Sequence, residues 1–297
     1  MADYNVRSCV ASLGNTGLSN CLDDLGADSM LIWTTESFEF ANYAAALVES
    51  NWLDAINAKT AYPFPIFDYV EPNIEDDVKQ DLPSGTSLFV REGKYGGKGM
   101  VQVALCNLPK LRTFNEVQGR AFIVTADGQV YGTSPDGAKF KGFKLSEFHV
   151  SMLKGTDGTT KRMVEVDYQF KLTTEMADYG AVPTLTWDPL NLTGIVDCTL
   201  TVTSSAEGSV VVNVTRDCDG QAVTGLVVGD FTILASDGTT EMLPGDGFAE
   251  NGSGTYTFTF TTPVLPADTY SVNLADPADQ TTGQYEGGSA ASFTIAP

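Results

Sequence analysis

His149 is the only histidine among 297 residues, and it stands in Glu147-Phe148-His149-Val150, a run with the alternation of a strand. A zinc site needs further ligands at fixed spacing, and a Ser-His-Asp relay needs partners gathered on one imidazole; neither pattern surrounds it. It reads as an ordinary strand residue. Gly93-Lys94-Tyr95-Gly96-Gly97-Lys98-Gly99 has the composition of a phosphate cradle. A P-loop, however, needs four residues between its first Gly and Gly-Lys, then Ser or Thr, then a helix. Here the spacing is short by one, Gly99 takes the place of the hydroxyl, and a strand follows. The segment is expected to be a mobile loop between strands, with Lys94, Tyr95 and Lys98 at an inter-subunit interface, the two lysines reaching an acidic neighbour. Glu75-Asp76-Asp77 and Asp217-Cys218-Asp219-Gly220 lack the spacing of a calcium loop and read as solvated acidic turns.

The five cysteines, Cys9, Cys21, Cys106, Cys198 and Cys218, are odd in number and dispersed, which is no disulfide framework. Cys9 with Cys21, or Cys198 with Cys218, are the pairs that could approach, but buried free thiols are the expected state. No residue set calls for a metal, a cofactor or a catalytic role, and the chain reads as a non-enzyme.

Around these residues the composition is that of packed domains, with 42% hydrophobic and 10% aromatic residues. Asp and Glu number 38 against 17 Lys and Arg, for a net charge of −21. A chain of that sign has no basic face with which to grip a phosphate backbone. The charge is uneven: residues 196–297 carry −12, with Arg216 their one cation, and residues 1–195 carry −9. This shift, with the turn-rich stretch Trp187–Gly194, places a boundary near residue 195 and gives domains 1–195 and 196–297. The first residues lack a basic region followed by an apolar one, and no run of about 18 apolar residues occurs, so synthesis in a reducing cytoplasm and no membrane partner are expected.

The fold class expected is mainly β. In residues 196–297 short runs at Cys198–Thr203, Ser209–Thr215, Asp230–Leu234, Thr255–Thr261, Thr269–Leu274 and Ser292–Ile295 read as the strands of an immunoglobulin-like β-sandwich. In residues 1–195, Phe40, Ala44, Leu47, Val48, Trp52, Ala55 and Ile56 have helical spacing behind Ser37 as N-cap, which predicts one amphipathic helix over 38–58. Strands are expected at Ile66–Val70, Thr86–Arg91, Met100–Cys106, Arg120–Thr125, Gln129–Thr133, Phe140–Val150 and Arg162–Leu172, forming an α+β sandwich or barrel. Hairpin turns are expected at Ala126-Asp127-Gly128 and Gly155-Thr156-Asp157-Gly158. In the last strand Val164, Val166, Tyr168 and Phe170 face inward against a second sheet and the helix, and Glu165, Asp167 and Gln169 face away.

The pattern Gly229-Asp230-Phe231, Gly254-Thr255-Tyr256-Thr257-Phe258 and Ala267-Asp268-Thr269-Tyr270-Ser271-Val272 resembles the immunoglobulin-like modules appended to bacterial surface and phage virion proteins. The helix 38–58, the loop Asp76–Gly99 and the long hairpin Phe140–Leu172 give most of the chain an architectural resemblance to the tail tube proteins of tailed phages. That resemblance implies a virion structural subunit, made in the host cytoplasm, that assembles with itself, as in hexameric rings, and meets other virion proteins. Glu165 and Asp167 would then line a channel whose carboxylates let DNA pass without holding it. A capsid-decorating or head-fibre protein, and a host-surface or glycan-binding adhesin, are the alternatives.

Overall fold

The computed structural model describes residues 26–155, 161–171, 173–242, 247–260, 265–281 and 283–296. The chain divides into two compact units, one ending at Thr193 and the other beginning at Gly194. No helix of the described residues is long and apolar enough to cross a membrane.

Unit 1 runs β1 (Asp28–Thr35), α1 (Glu49–Asn57), β2 (Ala61–Pro63), β3 (Tyr69–Pro72), β4 (Val78–Asp81), β5 (Ser87–Arg91), β6 (Gly96–Val101), α2 (Leu108–Arg112), β7 (Gly119–Thr125), β8 (Val130–Thr133), β9 (Phe143–Val150), β10 (Val164–Phe170), α3 (Thr173–Ala177) and β11 (Gly180–Ala181). All but β4 and β5 join one antiparallel sheet with β7 at its centre, where β1 lines one edge and β9 and β8 share the other. Every residue of β7 is buried, because both faces of the sheet are covered there. Ala121 and Ile123 enter a cluster with Leu31, Phe143, Val164, Val166, Tyr168 and Phe170. Phe122, pointing the other way, meets Trp52 of α1 and Phe140 at ring-centroid distances of 5.0 and 5.1 Å.

The helix expected over 38–58 is shorter and begins later. Asn42 accepts from the Ala45 N–H and caps a 3-10 turn over Tyr43–Leu47, Val48 is extended, and only Glu49–Asn57 is α-helical. Phe40 lies outside any helix and bridges Phe140 by backbone hydrogen bonds. The apolar face of β10 also differs in its partner: it packs into the cluster shared with β1, β7 and β9, while α1 covers the opposite face of β7. Two further short helices, α2 and α3, complete the set among the described residues. Met100–Cys106 is not one strand, since β6 stops at Val101. The buried strand β1 was not among those expected.

Unit 2 contains β12 (Val196–Ala206), β13 (Ser209–Arg216), β14 (Phe231–Leu234), β15 (Gly247–Glu250), β16 (Thr255–Thr259), β17 (Thr269–Leu274), β18 (Tyr285–Gly287) and β19 (Ala291–Thr294). Its sheets are ordered β15-β16-β13-β12-β18 and β14-β17-β19. Without β18, which pairs parallel to β12 over three residues, this is the two-sheet strand arrangement of immunoglobulin-like sandwiches. The Tyr270 hydroxyl donates to the Pro266 carbonyl four residues upstream at 3.0 Å, the tyrosine corner of that fold. Val210, Val212 and Val214 from one sheet and Phe231, Ile233, Val272 and Phe293 from the other form one core. Tyr256, Phe258 and Phe260 are all buried, as their alternation requires.

The cysteines correct the sequence reading. Cys198 is a buried free thiol, whereas Cys106 and Cys218 are each disulfide-bonded, so Cys198 and Cys218 are not a pair. Cys9 and Cys21 lie outside the described residues, as does most of the expected turn at Gly155–Gly158.

Candidate functional site

The segment read as a mobile glycine-rich loop is largely strand. Gly96–Val101 is β6, paired on one side with β10 and on the other with β3. Its glycines make room for rings from neighbouring elements: a Cβ on Gly99 would fall 2.4 Å from the Phe67 ring, and one on Gly97 would fall 2.5 Å from the Tyr168 hydroxyl. Phe67 and Tyr168 stack there at 6.4 Å with an interplanar angle of 8°. The glycines thus answer a packing demand with no phosphate in it.

Lys94, Tyr95 and Lys98 all have partners within the unit. The Lys94 ammonium donates to the Gln169 side-chain carbonyl at 3.2 Å, and Lys98 pairs with Asp167 at 3.7 Å. Tyr95 is partly buried and stacks on Phe170. Glu165 and Asp167 lie on the polar face of β10, as alternation requires, but neither is a bare carboxylate: Lys154 pairs with Glu165 as Lys98 does with Asp167. His149 stands opposite Asp167 across the ladder. Among the described residues no group of three or more His, Cys, Asp or Glu gathers as a metal site. Glu75 pairs with Arg91, and Asp217 accepts from Thr199.

One half-buried cluster escaped the sequence reading. The Asp28 carboxylate accepts from the Tyr168 hydroxyl at 2.9 Å and from Tyr95 at 3.4 Å. Burial raises the Asp28 pKa against the pull of the two phenols. Burial and the neighbouring carboxylate push Tyr95 up to about 12 and raise Tyr168 as well. Both phenols are therefore donors at neutral pH, and they fasten the start of β1 to β10 and to the residue just before β6. The signal was a polar residue opening the apolar run Met30-Leu31-Ile32-Trp33.

The surface feature with most to offer a partner is an arm. Beyond Pro72 the β3–β6 ladder continues past the sheet, Asn73 N–H donating to the Gly96 carbonyl and Glu75 N–H to the Lys94 carbonyl, each at 2.9 Å. Gly93 N–H then donates to the Asp77 carboxylate at 2.9 Å, at a point so close that a Cβ on Gly93 would fall 1.7 Å from the Glu75 carbonyl oxygen. β4 and β5 complete a two-stranded sheet of their own, turned at its tip through Gly85 with φ of +80°. Every residue of β4 and β5 is exposed, including Leu88, Phe89 and Val90 at 48, 58 and 56%. The expected strand Thr86–Arg91 anticipates β5, but β4 and the projection of the pair went unseen.

No family model and no curated protein matches the chain. Among solved structures it is similar to the I9–I11 tandem from titin at 8% identity and a TM-score of 0.20, over 76% of this chain and 92% of that one.

Proposed function

We propose that this chain is a non-enzymatic structural subunit that assembles with itself, in the form of a phage tail tube of stacked rings. The observation that carries the reading is the exposed arm. An isolated two-stranded hairpin is marginal in water, and leaving Leu88, Phe89 and Val90 half exposed forgoes roughly 1 kcal/mol apiece of what full burial supplies. A second copy recovers that energy. The virion setting rests on the tail-tube resemblance, and the unit's surplus of acid suits a conduit that lets DNA slip past. The pairing of Glu165 with Lys154 and of Asp167 with Lys98 tempers that last support, since each of the two carboxylates has a cation beside it.

Negative-stain imaging of the purified chain tests the reading. Rings or tubes with an axial channel are expected. Particles that form only on a capsid lattice would favour the decoration alternative, and a monomer that binds immobilised glycans would favour the adhesin.

A further inference from the structure

The strand directions of unit 1 set the arm at one end of the sheet and a different surface at the other. Antiparallel pairing puts Pro72, Gly96 and Gln169 together at the end from which the arm leaves, and puts Val101, Val150 and Val164 together at the far end. That far end is covered by the segment around α2 and by the continuation of β9. The Asn115 side chain exchanges hydrogen bonds with both backbone groups of Val150, at 2.7 and 3.1 Å, and the Arg112 guanidinium lies 3.1 Å from the Met152 sulfur. Three large apolar side chains stand exposed on these segments: Leu105 at 68%, Met152 at 64% and Val117 at 46%.

The two ends also differ in charge. Residues 71–92 hold six acids, Glu71, Glu75, Asp76, Asp77, Asp81 and Glu92, against Lys79 and Arg91, for a net −4. The far end gathers Lys110, Arg112, Lys154, Lys161 and Arg162 around Asp68, Glu116 and Glu165, five bases against three acids for a net +2. Arm against arm would oppose two surfaces of like sign, which costs association. Arm against far end joins acid to base and apolar to apolar.

Building on the self-assembly reading, we infer that the arm of one copy docks head to tail on the far end of unit 1 of a second copy, against Leu105, Met152 and Val117 within the basic rim. Such an interface uses two different patches, so every open assembly keeps one free arm at one end and one free acceptor at the other, and the contact propagates until it closes as a ring or continues as a filament.

Complementation tests this. The arm variant L88S/F89S/V90S and the acceptor variant L105S/M152S alter exposed side chains only. By sedimentation velocity each is expected to be monomeric alone, while an equimolar mixture forms a one-to-one heterodimer and nothing larger, because one intact arm meets one intact acceptor. Formation of that heterodimer also proves both variants folded. K161E/R162E is expected to lower the association constant by about tenfold or more at low salt, and less at high salt. An acceptor variant that assembles like wild type, or two monomeric variants that fail to pair on mixing, overturns the head-to-tail inference while leaving self-assembly through the arm in place. A wild-type chain that stays monomeric overturns the self-assembly reading itself, and this inference with it.

Discussion

Among the described residues of unit 2 the exposed large apolar side chains are Val227 and Val228, neighbours beside one 3-10 turn, whereas in unit 1 Ile74, Val78, Leu88, Phe89 and Val90 crowd into a single arm. Each interior also holds a charged side chain tied to a distant segment. Unit 2 buries Asp230, whose carboxylate accepts from the backbone N–H groups of Val227 and Thr281 at 2.9 and 2.6 Å. Unit 1 buries Arg120 against Glu175 at 2.7 Å, with the Gly142 carbonyl and the Lys144 N–H completing the set. The difference between the units therefore lies outside: unit 1 leaves a cluster of apolar side chains on its surface, which is the division expected if unit 1 carries the docking surface.

The largest effects should separate the units most cleanly. Phe258→Ala removes a fully buried ring and is expected to cost unit 2 about 3–5 kcal/mol. Arg120→Met strands Glu175 in the interior of unit 1 at a similar cost of about 3–5 kcal/mol. Trp33, Trp52 and Trp187 all lie in unit 1, so in urea melts tryptophan fluorescence should shift for Arg120→Met and stay in place for Phe258→Ala. Far-UV circular dichroism should register both. A fluorescence shift in the Phe258→Ala protein would show that the units do not unfold independently.

Gly93→Ala probes the base of the arm. With a Cβ due 1.7 Å from the Glu75 carbonyl oxygen, the ladder must open, at about 1–3 kcal/mol by analogy with overpacked sites. Limited proteolysis should then cut within residues 74–92 several times faster than in wild type, with the tryptophan transition little changed.

Asp28→Asn gives a smaller effect whose sign depends on pH. The folded state raises the Asp28 pKa above its usual 3.8, so the folded unit keeps the proton to higher pH than the unfolded chain does. Wild type therefore loses stability as pH rises from about 4 through the folded pKa. Asn still offers an acceptor to Tyr168, so near pH 4 the two proteins should differ by no more than about 1 kcal/mol, the net value of one hydrogen bond. Toward pH 7 the variant should gain on wild type. A constant difference across that range would exclude titration of Asp28 as the cause.

Smallest in stability is the arm variant L88S/F89S/V90S, expected within about 0.5 kcal/mol of wild type because those side chains are exposed and belong to neither core cluster. A larger loss would mean the arm supports its own fold, and would blur the contrast between the two units.

What the sequence disclosed follows from the range of the interactions involved. The alternation in Val164–Phe170 and in Tyr256–Phe260 was legible because a strand with one buried face repeats every second residue. The stretch from Phe40 to Val48 misled because its apolar residues happen to fall at helical spacing while Phe40 is held by Phe140, a hundred residues away. Gly96–Gly99 looked like a loop since glycine disfavours strands, and the rings of Phe67 and Tyr168 that require it are distant in sequence. Arg120 inside Gly119–Thr125 was a visible anomaly, a charge in an apolar run, but its acid on α3 was not. Nor could spacing reveal that Cys106 and Cys218 are oxidised while Cys198 is not.

The unpaired outer edge of β5 has a consequence for the newly made chain. Leu88-Phe89-Val90 is an apolar strand segment with open backbone groups, the kind of template on which identical segments stack into cross-β aggregates. Lys79 stands directly opposite Phe89 in the hairpin register, Gln80 opposite Leu88, and Arg91 and Glu92 follow the run, with Pro83 at the tip. These residues act as gatekeepers, placing like charges against each other whenever two arms try to stack in register. Replacing Lys79 and Arg91, two side chains with no part in the packed core, by apolar residues should then make the free chain more prone to aggregate.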